Sequence, residues 1–146
     1  MAGGLRTAYA AVVDAATATS AWVGAISRVE LTVTDADTAQ AMGSGDVPVL
    51  ATPRVLALVE AATVAATAAR LPAGSTTVGT RIELEHRVAT AVGHAVVAEA
   101  RLVKANGRQL MFEVAVREGA VVVAEGRVER VLVDRHRFLN KAFGTS

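Results

Sequence analysis

A chain of 146 residues with 52 % hydrophobic but only 3 % aromatic residues has the size of one domain, and its core must be built from Val, Leu, Ile and Ala rather than from rings. Fifteen basic residues against fourteen acidic leave a formal charge of +1, without the basic excess that binding to a phosphate backbone requires, so a nucleic-acid partner is not expected. The absence of cysteine excludes a disulfide framework, a thiolate metal site and a cysteine nucleophile, and suits a reducing compartment.

In chain order, the first predicted element is a short amphipathic helix before Gly24, because Tyr9, Val12, Val13 and Ala16 fall at helical spacing. A poorly ordered extension is the alternative reading of residues 1–25. The Ala-rich run after Arg6 is broken by Asp14 before the hydrophobic region of an export signal forms, and no eighteen apolar residues run together. A cytoplasmic protein without a membrane span is therefore expected, with its folded domain over residues 26–146.

From Arg28 the pattern becomes strict alternation, with Val29, Leu31 and Val33 on one side and Arg28, Glu30 and Thr32 on the other, which predicts a half-buried strand. Residues 34–37 form a capping pattern for one or two helical turns closed by Gly43, and a loop follows to Leu50. Thr52 as N-cap and Pro53 at the first helical position then open a long helix that runs to about Arg70, before Leu71-Pro72. Val55, Leu56, Leu58, Val59, Ala62, Thr63 and Ala66 make its apolar arc. Its many alanines (Ala57, Ala61, Ala62, Ala65, Ala66, Ala68 and Ala69) predict that a sheet approaches it closely.

After Gly74 the chain reads as strands. Val78, Thr80, Ile82, Leu84 and His86 alternate toward the helix over residues 76–88, and a strand over 95–104 leads to a hairpin turn at Asn106-Gly107. Leu110, Phe112, Val114 and Val116 alternate next, a turn at Glu118-Gly119 follows, and residues 121–133 form the last strand. The economical architecture is an α+β domain in which a curved antiparallel sheet wraps one long central helix. Its open edges predict a homodimer, with further pairing into a tetramer left open.

Four residues stand where packing alone would not put them. Glu60 borders the apolar arc of the helix, where a carboxylate must be paired, functional or led out to solvent. His86 points toward the helix, either as a satisfied core histidine or as a reacting group. Thr52 is accounted for as a cap, yet its hydroxyl lies at a helix start whose free N–H groups suit a developing oxyanion. Gly79 inside a good strand marks either a β-bulge or a close approach of ligand to backbone. The order is more informative than any one residue: a Thr, a Glu eight positions on in the same helix, then Gly-Thr and a His on the next strand.

That order resembles the hotdog-fold thioesterases related to fluoroacetyl-CoA thioesterase. The resemblance covers residues 26 to 138 and is carried by Val49-Leu-Ala-Thr52, by Leu58-Val-Glu60, by Val78-Gly-Thr80 with Glu85-His86, and by Gly126-Arg-Val-Glu-Arg130 leading to Phe138. It implies the hotdog fold, hydrolysis of an acyl-CoA thioester and a homodimer with its sites at the subunit interface. Thr52, Glu60 and His86 would then form the catalytic group, Gly79 would lie at the substrate carbonyl and Arg130 would join the site. No metal and no cofactor are implied.

Two departures are visible. Asp46 stands where the fluoroacetyl-specific enzyme is similar in having an aromatic lid residue six places before the Thr, so a different acyl group is expected. Val128 stands where a His is common two places before the Arg. Arg135, Arg137 and Lys141 are candidates for the CoA phosphates, although a solvated basic tail is the commoner explanation of such a cluster. The alternative function is a hotdog module that binds an acyl-CoA or another small acyl ligand without turning it over.

Overall fold

The computed structural model describes residues 2–144. Helix α1 (Ala2–Ala18) and a 3-10 turn (Thr19–Trp22) lead into strand β1 (Ile26–Thr32). A second 3-10 turn (Asp35–Asp37) and the one-turn helix α2 (Ala39–Met42) precede the long helix α3 (Thr52–Thr67), which ends in a 3-10 turn (Ala68–Arg70). Strands β2 (Ser75–His86), β3 (Ala95–Asn106), β4 (Gln109–Glu118) and β5 (Val121–Asp134) follow, and helix α4 (Arg135–Phe143) closes the chain.

The five strands form one antiparallel sheet in the order β1-β3-β4-β5-β2, so β1 and β2 are its two edges. Alternation explains the packing. Val96, Ala98, Ala100 and Leu102 of β3, Leu110, Phe112, Val114 and Val116 of β4, and Val128 and Leu132 of β5 are buried against Val55, Leu58, Val59 and Ala62 of α3. The opposite face carries charge in register: Arg101 pairs across from Glu113, Glu113 from Arg127 and Arg127 from Glu83. A sheet with one apolar and one hydrated face needs only one covering layer, and α3 is that layer.

Several expectations shift in detail. Ala51, with φ −74° and ψ 141°, is the N-cap of α3, and Thr52 is its first helical residue with no capping hydrogen bond from its side chain. The Thr52 hydroxyl is thereby released from the backbone. In β2 the register slips between Gly79 and Arg81, which makes Thr80 a bulge. Ser75, Thr77 and Gly79 precede the bulge on the helix-facing side and Ile82, Leu84 and His86 follow it; Val78 and Thr80 are not part of that row.

Both tight turns also lie one residue further on than predicted. Asn106 pairs with Gln109 and Glu118 with Val121, leaving Gly107-Arg108 and Gly119-Ala120 as two-residue loops. Gly107 (φ 61°) and Gly119 (φ 58°) take the first loop position, the II′ arrangement that a glycine permits. Of the seven alanines only Ala62 is buried, while Ala57, Ala61 and Ala65 of α3 and Ala68 and Ala69 of the 3-10 turn that ends it are exposed. The sheet covers one side of the helix and does not wrap it fully. In α1, Val12 reaches the core but Tyr9 and Val13 remain exposed. The basic C-terminal segment is an ordered helix, capped by the Asp134 carboxylate on Arg137 N–H at 2.9 Å and ended by Gly144 at φ 70°.

Candidate active site

Thr52 and His86 meet. The Thr52 Oγ1 lies 2.8 Å from His86 Nδ1, joining the first turn of α3 to the end of β2. His86 reaches this place because the row it shares with Ile82 and Leu84 faces the helix, with Ala124 of β5 opposite it. Its Nε2 is buried without a hydrogen-bond partner, so Nδ1 is the nitrogen turned toward a polar group. Burial holds the imidazole below its ordinary value of 6.5 and favours the neutral ring, against a weaker contact with the Val88 backbone. A neutral imidazole beside a hydroxyl at a helix N-terminus is equipped to take a proton where an oxyanion develops.

Glu60 is not beside them in the same chain. Eight residues along a helix amount to about 12 Å, and there its Oε2 accepts from Arg130 Nη1 at 2.9 Å. Arg130, only 6 % exposed, also donates from Nε to Thr77 Oγ1 at 3.0 Å and from Nη2 to the Thr77 carbonyl at 2.9 Å. Burial lowers the guanidinium from its usual value, and the Glu60 carboxylate acts in the other direction. Gly79 lies against this group: a Cβ there would overlap Glu60 Oε2 and stand 3.3 Å from Arg130 Nη1. Absence of a side chain at position 79 is what lets the carboxylate reach the sheet. Of the two readings of Gly79 the bulge is present, one residue on at Thr80, and the group that closes on Gly79 is the chain's own Glu60 carboxylate.

The five predicted residues thus form two groups, Thr52 with His86 and Glu60 with Gly79 and Arg130. Thr77 was missed, because a threonine in a strand carries no signal until Arg130 is seen to use both its hydroxyl and its carbonyl. A recess of about 300 Å³ is lined by Thr80, Lys104, Gln109, Met111 and Arg130, and one of about 770 Å³ by the charged outer face of the sheet. Thr52, Glu60 and His86 line neither. Asp46 lies in an exposed loop. Arg137 and Lys141 share a recess of about 420 Å³ with Tyr9, Arg108 and Phe138, and the Arg137 guanidinium stacks 3.8 Å above the Tyr9 ring. Arg135 does not line it. Among the described residues, no three His, Asp or Glu side chains are grouped to hold a metal ion, and no helix is long and apolar enough to cross a membrane.

The structure is similar to that of the fluoroacetyl-CoA thioesterase FlK, with a TM-score of 0.78 and 27 % identity over 85 % of this chain and 96 % of that one. A thioesterase superfamily member from Thermus thermophilus has a TM-score of 0.74 at 25 % identity, covering 84 % of this chain and 95 % of its own. A hot-dog-like protein from Thermanaerovibrio acidaminovorans shares the fold, with a TM-score of 0.77 at 22 % identity over 84 % and 90 % of the two chains. No curated protein matches the sequence significantly. The family model of the fluoroacetyl-CoA-specific thioesterase, FlK, matches residues 33–136, a span that contains all five site candidates, and with the hotdog architecture this establishes that the chain belongs to that family of thioester hydrolases.

Proposed function

We propose that the protein hydrolyses a small acyl-CoA thioester in the cytoplasm, at sites completed by a second copy of the chain. The observation that carries this reading is the 2.8 Å contact between Thr52 Oγ1 and His86 Nδ1 at the start of α3. A thioester carbonyl is electrophilic enough that modest assistance suffices. Attack by water or by the Thr52 hydroxyl forms a bond to the carbonyl carbon, passes a proton to His86 and places negative charge on the carbonyl oxygen, where helix-start N–H groups stabilise it. Collapse breaks the C–S bond, and the leaving thiolate takes the proton. In the hydroxyl route, water then releases the acyl group from Thr52 by the same sequence.

Two features support a homodimer. The exposed side of α3 carries Ala57, Ala61, Val64 and Ala65 at helical spacing, with Val64 44 % exposed, which is a smooth apolar stripe for a second helix. Strand β2 is an open edge. If it pairs antiparallel with its own copy about a point midway between positions 79 and 86, each chain's Gly79 comes opposite the other's His86. Glu60, held beside Gly79, then faces Thr52 and His86 of the second copy, and the separation along α3 is closed across the interface. Arg108, Arg137 and Lys141 are the cations we assign to the CoA phosphates. Because Asp46 replaces an aromatic residue in the loop before α3, the acyl group proposed is one other than fluoroacetyl.

The test is thiol release from a panel of short, branched, aryl and fluoroacetyl CoA esters by the wild type and by Thr52→Ala, Thr52→Ser, Glu60→Gln and His86→Ala. Hydrolysis of at least one ester that His86→Ala abolishes is expected; if no ester is turned over faster than by that variant, the protein is a binding module. Co-expressed Thr52→Ala and Glu60→Gln chains should recover about a quarter of wild-type activity, since half of randomly paired dimers then keep one intact site. No recovery would place Glu60 outside the partner's site.

A further inference from the structure

Asp37 lies outside the elements that carry Thr52 and His86, yet it grips the chain on both sides of Thr52. Its carbonyl accepts from Ala51 N–H at 2.9 Å, one residue before Thr52, and its Oδ1 accepts from Arg54 Nε at 2.9 Å, two residues after. Its Oδ2 takes both the N–H and the hydroxyl of Thr34 at 2.8 Å. Thr34 follows Val33, which is 1 % exposed and fixed in the core. The Asp37 side chain is only 13 % exposed, so its charge-assisted bonds hold more rigidly than they would in water. Four bonds therefore run from the end of β1 through one side chain and its carbonyl to the first turn of α3.

The other half of the reacting pair is held by different elements. His86 lies opposite Ala124, and Arg87 N–H donates to the Val123 carbonyl at 2.9 Å, which ties the end of β2 to β5. The contact between Thr52 and His86 joins two separately anchored frames. Leu50 N–H to the Thr90 carbonyl at 2.9 Å is a second tie between them, acting before α3 begins, and the buried Val55 packs the first turn against the sheet. Arg54 is the side chain of that turn which Asp37 holds directly.

We propose that Asp37 is a positioning residue for the Thr52 hydroxyl, fixing the first turn of α3 through Ala51 and Arg54 so that Oγ1 meets His86 Nδ1. A misplacement of about 1 Å in such a pair costs on the order of 10²-fold in rate. Asp37→Asn keeps the size and one acceptor but removes the charge. Arg54→Ala breaks the grip on α3 while leaving the bonds to Thr34 in place, so it tests the same contact with the turn at residues 34–37 intact.

The proposal rests on Thr52 and His86 as the reacting pair, and its test includes a readout that needs no turnover. In both variants the ring ¹⁵N resonances of His86 should move toward those of Thr52→Ala, while the amide spectrum of the sheet stays native. With a hydrolysed ester, kcat should fall about ten- to a hundredfold with KM within about threefold, and adding either substitution to Thr52→Ala should lower kcat no further. Unchanged His86 resonances in the folded variants overturn the proposal. So does an equal loss of kcat in the Thr52→Ala background, the mark of a general structural role. If Thr52→Ala is fully active, the function assigned to Thr52 fails, and the His86 resonances still decide whether Asp37 positions it.

Discussion

At the start of α3 a hydroxyl and an imidazole meet near the surface, whereas two turns later a carboxylate meets a guanidinium that the sheet has almost covered. The first pair is neutral, has one hydrogen bond and connects two elements that are each held by other contacts. The second is charged, is tied to Thr77 by two further bonds and depends on a glycine that lets the carboxylate in. Neutral polar contacts at the surface contribute little to stability, while a guanidinium withdrawn from water is costly to leave unpaired. One helix therefore carries a contact that chemistry can use at small cost in stability and another that ties the helix to the sheet.

Breaking the open pair gives the largest effect. His86→Ala and Thr52→Ala should each lower the hydrolysis rate by about 10²–10⁴-fold, while urea unfolding shifts by less than about 1 kcal/mol. A comparable loss of stability would remove the contrast between the two pairs.

Breaking the covered pair moves stability, and the two partners are unequal. Glu60→Ala leaves the Arg130 guanidinium with only Thr77 as acceptor and should cost about 3 kcal/mol in urea unfolding. Arg130→Met leaves a carboxylate whose side chain is already 37 % exposed and can hydrate, so it should cost less. The reverse order would show that burial of Arg130 does not govern this group.

Gly79→Ala sharpens the comparison at one position. A methyl group pushes the Glu60 carboxylate away from Arg130, a flexible side chain gives way, and the expected loss is about 1 kcal/mol. Activity should fall as it does in Glu60→Gln if the placement of the carboxylate matters. An unchanged rate would separate Glu60 from the chemistry.

The smallest effect is on pH dependence. Burial depresses the folded-state value of His86 below 6.5, so between those two values the unfolded chain binds more protons. Stability should decline as pH falls below about 6.5 and level off once the folded imidazole is also protonated. The acid limb of kcat/KM, if it reports His86, should lie below 6.5. A limb above that value would assign it to another group.

Much of the fold was legible because its signals are local. Alternation over Leu110, Phe112, Val114 and Val116 marks a strand whatever lies beside it, and Pro53 with the apolar arc to Thr63 marks α3. What misled was also local reasoning. Counting by twos from Val78 gives a single face only if no residue is extra, and the bulge at Thr80 exists because β2 must slip against β5. Thr52 has the chemistry of a cap, but the chain enters α3 one residue earlier, at Ala51, whose N–H is taken by the Asp37 carbonyl. The spacing from Asp134 to Gly144 carries the start and stop signals of α4, which a reading of its charges alone passed over.

The sequence by itself determined the α+β character of the chain, the strand periods, the long helix and the residue types available for chemistry, since each follows from backbone preference and the period of side-chain direction. Only the tertiary structure decided the strand order, the exposure of the alanine stripe on α3, and the division of the candidates into a pair at Thr52 and an ion pair at Glu60. These depend on contacts between residues far apart in the sequence, such as Glu60 with Arg130, seventy positions on, and Ile26 with Arg101. Their formation is settled by how β2 registers on β5 and how α3 lies across the sheet, which no local pattern encodes.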